Sequence, residues 1–168
     1  EMIFAKPILE VNNLQVKRGG VPVLDIPELS VVEREVLSLI GPNGSGKSSL
    51  LLMLACLLKS FHGDMFFRGV RVASNKSVHA YRRNIAMVFQ EPLLFDTTVF
   101  ENVAAGLKIR GIKKNDIRPV VEEYLERFGI SHLVKRSARK LSGGEAQMTS
   151  LASAFAVKPE IIFLDEPF

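Results

Sequence analysis

Eight residues, Gly41-Pro42-Asn43-Gly44-Ser45-Gly46-Lys47-Ser48, constrain this chain more than any others, because they fit the spacing G-x-x-x-x-G-K-[ST]. The apolar run Val36–Ile40 precedes them and reads as a fully buried parallel strand. Ser48–Lys59 follows and reads as a helix with leucines on nearly every face. Only glycine lets a backbone wrap closely enough to present its N–H groups to phosphate oxygens. Strand, loop and helix together make an anion-binding nest with the positive end of a helix behind it. In such a loop Lys47 reaches the β- and γ-phosphates of a nucleoside triphosphate, the Ser48 hydroxyl coordinates Mg²⁺, and Ser49 belongs to the same binding segment.

A phosphate loop lacks a carboxylate for its metal, and one appears later. Ile161–Leu164 is four apolar residues ending in Asp165 and Glu166. A buried strand would deliver both acids to its C-terminal edge, where ligands of α/β sheets collect. Asp165 would hold the Mg²⁺ shell, and Glu166 would polarise an attacking water as general base.

The segments around these motifs alternate in type. Ile8–Val16 reads as a half-buried strand, Gly19-Gly20 as a turn, and Pro22–Val32 as one or two short strands interrupted by Pro27. Gly63–Val72 reads as a hairpin turning near Arg68-Gly69, and Ile85–Phe89 as another buried strand. Val99–Arg110, Ile117–Phe128 and Ser142–Ala156 read as helices, punctuated by Gly111, Gly129 and the basic stretch Lys135–Lys140. The expected class is α/β with a parallel central sheet.

Composition removes several alternatives. In 168 residues, 47% hydrophobic and 24% charged, no apolar run reaches the roughly 18 residues that span a bilayer. The richest stretch, Leu50–Leu58, is too short, and no signal peptide opens the chain. The single cysteine, Cys56, cannot form an internal disulfide and reads as core packing. The net charge of +4 comes from dispersed lysines and arginines, without the clustered stripe that nucleic-acid binding requires.

One further motif names a family. Leu141-Ser142-Gly143-Gly144-Glu145 lies about 20 residues before the second acidic strand. Locally, Ser142 and Glu145 form S-x-x-E, a capping box for the following helix, whose N-terminus with two glycines is a second bare anion site. The segment also resembles the signature sequence of ABC transporter ATP-binding domains. Gln90, placed between the strand Ile85–Phe89 and Glu91-Pro92, looks like that family's Q-loop glutamine, which contacts Mg²⁺ or the attacking water. The resemblance covers essentially the whole chain. It implies a P-loop NTPase core with an N-terminal antiparallel β-subdomain (about 1–94 with 157–168) and an inserted helical subdomain (about 95–156). It implies ATP and Mg²⁺ as cofactors, and a head-to-tail dimer in which each signature grips the γ-phosphate bound to the opposite subunit. It also implies a transmembrane permease subunit docked on the helical subdomain, a solute-binding protein acting indirectly, and a peripheral place on the cytoplasmic membrane face.

Several positions depart from the family pattern. Lys17-Arg18-Gly19 stands where many members carry an adenine-stacking aromatic, and the Arg18 guanidinium would stack instead. Arg34 stands where glycine usually precedes the glutamate at Glu35. Met148 and Ser153 replace two expected arginines of the signature helix. The segment Phe100–Gly111, with Glu166-Pro167-Phe168, resembles importers of oxyanions such as tungstate, molybdate or sulfate. The alternative readings are a soluble ABC-type ATPase associated with DNA or ribosomes, and a non-catalytic fragment. The family's domain continues past the position of Phe168 with a D-loop, a further strand and a switch histidine. His62, His79 and His132 all precede the second acidic strand. The chain is therefore expected to be incomplete at its C-terminus, with a gap between Val36–Ile40 and Ile161–Leu164, poor stability and no ATP hydrolysis on its own.

Overall fold

The computed structural model describes residues 6–18, 21–58 and 61–167. The Gly19-Gly20 turn, the Arg18 side chain, Lys59 at the predicted helix end and Phe168 lie outside the described residues. The chain forms two compact units, Glu1–Arg82 and Arg83–Phe168.

In the first unit, β1 (Pro7–Arg18) pairs antiparallel with β2 (Val21–Val32) on one side and with β3 (Phe61–Phe67) on the other. A turn at Arg68-Gly69, both with positive φ, leads from β3 into β4 (Val70–Arg71), as the sequence predicts. Ile8 is buried at the start of β1, and beyond it the buried positions are Leu9 and Val11, then Leu14 and Val16. The change of phase falls at Asn13, whose φ of 51° marks a bulge that moves the apolar side chains from odd to even positions on one face. β2 is one continuous strand of twelve residues and is not broken at Pro27. It is the edge strand of the order β2-β1-β3-β4, where a proline needs no ladder partner for its missing N–H.

The helix α1 (Lys47–Leu54) ends earlier than the leucine pattern suggests, because Cys56 takes a left-handed φ of 58° and turns the chain. Burial raises the Cys56 thiol pKa, with the nearby Arg82 charge opposing, as fits a partly buried side chain used in packing. The helix α2 (Asn75–Arg82) has one buried residue, Tyr81, and its short apolar face, Val78 and Tyr81 among polar neighbours, does not announce it in the sequence. The Tyr81 hydroxyl donates to the Leu54 carbonyl at 2.9 Å, and its ring meets Phe67 edge-on.

Val36–Ile40 is not a strand. It pairs with no described strand, and Val36 and Ile40 are 92% and 96% exposed. An apolar run states what a segment would bury. It does not supply the neighbouring backbone that makes a strand, and the four-stranded sheet of this unit closes without it.

In the second unit, β5 (Ile85–Val88) and β6 (Ile161–Leu164) pair in parallel, Ile85 opposite Ile161 and Val88 opposite Leu164. Between them lie α3 (Val99–Ile109), α4 (Lys114–Arg127) and α5 (Gly143–Ala156). Gly111 and Gly129 turn the chain just beyond α3 and α4 with positive φ, at the positions where the sequence marks the helix ends. Val99, Val103, Val121, Leu125, Leu133 and Ala152 form the core of this unit. Fully burying each of the larger side chains is worth roughly 1.5–3 kcal/mol. A second cluster, Val88 with Leu151 and Ala154, fastens α5 to β5. The architecture is α/β: an antiparallel sheet, a helical region and a parallel strand pair.

Candidate functional site

In the first unit, residues 41–46 form an exposed loop running into α1. Gly46 has a φ of 93°, and a Cβ there would stand 2.7 Å from the Leu24 side chain, so both backbone and space demand glycine. The Lys47 ammonium donates to the carbonyls of Gly41 and Pro42 at 2.9 and 3.0 Å. Two neutral dipoles thus hold a cation over the loop. The first turn of α1 contains no acidic residue, so the helix's positive end is not locally neutralised. Gly41, Pro42, Asn43, Gly44, Ser45 and Ser48 are exposed, and Ser49 is partly buried.

In the second unit, the parallel register carries two chemistries to one edge. The Asp165 N–H donates to the Val88 carbonyl at 3.0 Å, so Gln90 and Glu166 leave adjacent strand ends. The Gln90 amide donates to a Glu166 carboxylate oxygen at 3.0 Å, across 76 residues of sequence. Glu166 has a φ of 44°, a left-handed conformation that costs an ordinary residue roughly 1–2 kcal/mol.

Gly143 to Glu145 form the first turn of α5. Both halves of the capping box are present: the Glu145 N–H donates to Ser142 Oγ, and the Ser142 N–H donates to Glu145 Oε2 at 2.8 Å. That backbone donor, chiefly, holds the Glu145 carboxyl below its usual pKa, with Arg136 at 3.0 Å and His132 assisting. Gly143 and Gly144 have nothing within 4 Å of where a Cβ would stand. The turn is therefore open to whatever approaches it.

The two missing arginines are accommodated by other means. Met148 packs against both apolar clusters of the unit, and the Ser153 hydroxyl donates to the Asn102 carbonyl at 3.2 Å. Two polar residues that the sequence does not single out also matter. Asn102, 3% exposed, accepts from the Phe95 N–H and donates to the carbonyls of Phe95 and Thr98, fixing the loop ahead of α3. Arg110 donates to the carbonyls of Arg83 and Ile85, tying the end of α3 to the start of β5. Burial, and then repulsion from Arg83, lowers the Arg110 pKa. A groove of about 260 Å³ opens in this unit beside Leu93, Phe95, Ile109, Arg110 and Ser153.

A glycine loop with its lysine folded back over it, a paired carboxylate and amide at parallel strand ends, and a capped glycine turn are the features of a P-loop nucleotide-binding protein. A family model described as "ABC transporter" matches residues 24–168, and the chain belongs to that family. It is 41% identical over 159 residues to the tungstate uptake system ATP-binding protein TupC of Peptoclostridium acidaminophilum, covering 95% of this chain and 72% of that protein. It is also 41% identical over 165 residues to the sulfate/thiosulfate import ATP-binding protein CysA 2 of Rhizobium meliloti, covering 95% of this chain. The chain spans only 44% of that second relative's length. Among solved structures, the ATP-binding cassette MJ0796, a dimer in a post-hydrolysis state bound to ADP and Pi, matches with a TM-score of 0.85. The identity there is 28%, over 95% of this chain and 74% of the other.

Proposed function

We propose that this chain is the ATP-binding and ATP-hydrolysing subunit of a membrane importer for a small oxyanion. The observation that carries the reading is the meeting of Gln90 and Glu166 at the ends of β5 and β6. The backbone of residues 41–49 and the Lys47 ammonium bind the triphosphate. The Ser48 hydroxyl in the first unit, and the Asp165 carboxylate and Gln90 amide oxygen in the second, are each hard oxygen donors of the kind that Mg²⁺ takes. Among the described residues no cluster of three or more His, Cys, Asp or Glu competes for a metal. When bound, Mg²⁺ neutralises charge on the β- and γ-phosphates. Glu166 takes the proton of the attacking water on a carboxylate oxygen, and Gln90 orients that carboxylate. Ser142, Gly143, Gly144 and Glu145 face the γ-phosphate held by the opposite subunit of a head-to-tail dimer.

Residues 95–156 form the helical subdomain in this reading, and 1–94 with 157–168 form the core. The permease docks at the groove beside Leu93 and Phe95, which are 70% and 64% exposed. No helix among the described residues is long and apolar enough to cross a membrane. The family relationship supports a peripheral position on the cytoplasmic membrane face in this reading. A solute-binding protein delivers the anion to the permease. The oxyanion assignment rests on the tungstate and sulfate relatives. Lys47→Ala in the intact protein is expected to weaken Mg-ATP binding by tenfold or more in titration calorimetry. Unchanged affinity would overturn the phosphate-loop reading. For the substrate, tungstate or sulfate supplied with the reconstituted importer should stimulate ATP hydrolysis, and spermidine should not.

A further inference from the structure

We infer that Gln147 is a positioning residue that sets the separation between Gln90 and Glu166. The inference rests on the proposed roles of those two residues and adds a third that controls them. Gln147 lies in the second turn of α5, just beyond the glycine turn, and is 9% exposed. Its Nε2 donates to the Pro167 carbonyl at 3.0 Å and reaches the Phe89 carbonyl at 3.5 Å. Those carbonyls belong to the residue after Glu166 and the residue before Gln90. A primary amide nitrogen has two N–H bonds, and here each goes to one strand exit. The two exits are therefore joined twice, by the Gln90–Glu166 side-chain contact and by Gln147 across the backbone behind it.

The other end of this amide is unusual. Gln147 Oε1 is buried and accepts no hydrogen bond from any of the described residues. A fully satisfied polar group would suffice if Gln147 only filled space, and an apolar side chain of the same length would avoid the orphaned acceptor altogether. What an apolar residue cannot do is donate to two carbonyls at once. Gln147 lies one turn beyond Gly143 and Gly144 in α5, so a shift of the helix start that carries Gln147 with it would pull on both strand exits together. Ligation at the Ser142–Glu145 turn is thereby read out as the spacing of the reacting pair.

The test uses the intact protein assembled with its permease. Gln147→Met keeps the volume and removes both donors. It is expected to lower kcat at least tenfold while the KM for ATP stays within twofold. In a Gln90→Ala background the same substitution should cost less than twofold, because the pair it positions is already broken. An unchanged kcat, a proportional rise in KM, or full additivity with Gln90→Ala overturns the proposal. Gln147→Glu provides an independent reading should the methionine variant fold poorly. Its ionised carboxylate faces two carbonyls and cannot donate, whereas its protonated form donates once. Its rate relative to the parent is expected to rise several-fold as pH falls, and a flat ratio overturns the proposal. Failure of both variants to fold assigns Gln147 to stability alone and overturns it too. Glu166→Gln separates the two levels of argument. If it hydrolyses ATP at the parent rate, the site reading fails, whereas an inactive Glu166→Gln beside an unaffected Gln147→Met removes this inference only.

Discussion

The empty space around Gly144 separates two demands on one residue. A Cβ there meets nothing, and alanine is the better helix former by up to about 1 kcal/mol. Gly144→Ala should therefore leave the melting temperature unchanged or raise it. If a γ-phosphate of the opposite subunit must approach this turn, the same variant should lose most ATP hydrolysis. Full activity with raised stability would remove the ligand-facing role. Ser142 offers the opposite case, since its hydroxyl caps α5. Ser142→Ala is expected to cost about 1 kcal/mol of stability besides its effect on turnover. The Glu145 carboxyl titrates lower in the folded protein than its ordinary value of 4.5. Its stabilising contribution is thus complete above that value and fades as pH falls through the depressed one. Chemical denaturation of parent and Glu145→Gln as a function of pH should show the difference between them shrinking on the acid side.

At the scale of elements, the turn Val32–Glu35 explains a departure from the family pattern. Arg34 has a φ of 65°, and the Glu35 N–H returns to the Val32 carbonyl at 3.3 Å. Glycine is the natural occupant of such a position, and the arginine carries the left-handed cost. Arg34→Gly should stabilise the first unit by about 0.5–1 kcal/mol, the left-handed penalty less the flexibility that glycine adds to the unfolded chain. Asn102→Ala should do the reverse to the loop ahead of α3. It strips the Phe95 N–H of its 2.7 Å acceptor and should cost about 2 kcal/mol, with faster amide exchange at residues 95–98. α3, with its apolar stripe and the glycine beyond its end, and β6, a short apolar run ending in two acids, were legible in the sequence. α2 was not, because a single tyrosine holds it. Val36–Ile40 and Ile161–Leu164 look alike as sequence, yet only the second has a pairing strand. Composition encodes an appetite for burial, and the partner is a matter of topology.

Over the whole molecule, the candidate site was legible where its residues are contiguous. The phosphate loop, the acidic strand end and the capping box are each a short word. Gln147 was not, since its role joins segments 58 and 20 residues away, and nothing adjacent to it spells that contact. The dimer proposal is tested by mixing. Lys47→Ala and Gly144→Ala subunits combined should recover activity at one composite site, whereas either variant alone should not. Val36 and Ile40, apolar and exposed, make this chain prone to association on its own, and Ile40→Lys should suppress it in light scattering. The left-handed backbone at Glu166 bears on how such a molecule persists. A library at that position ranked only by resistance to heat should enrich glycine and asparagine. Ranked by growth on a limiting oxyanion, it should return glutamate. On the proposed reading the two rankings diverge, because the side chain that takes the proton is the one that the local backbone favours least.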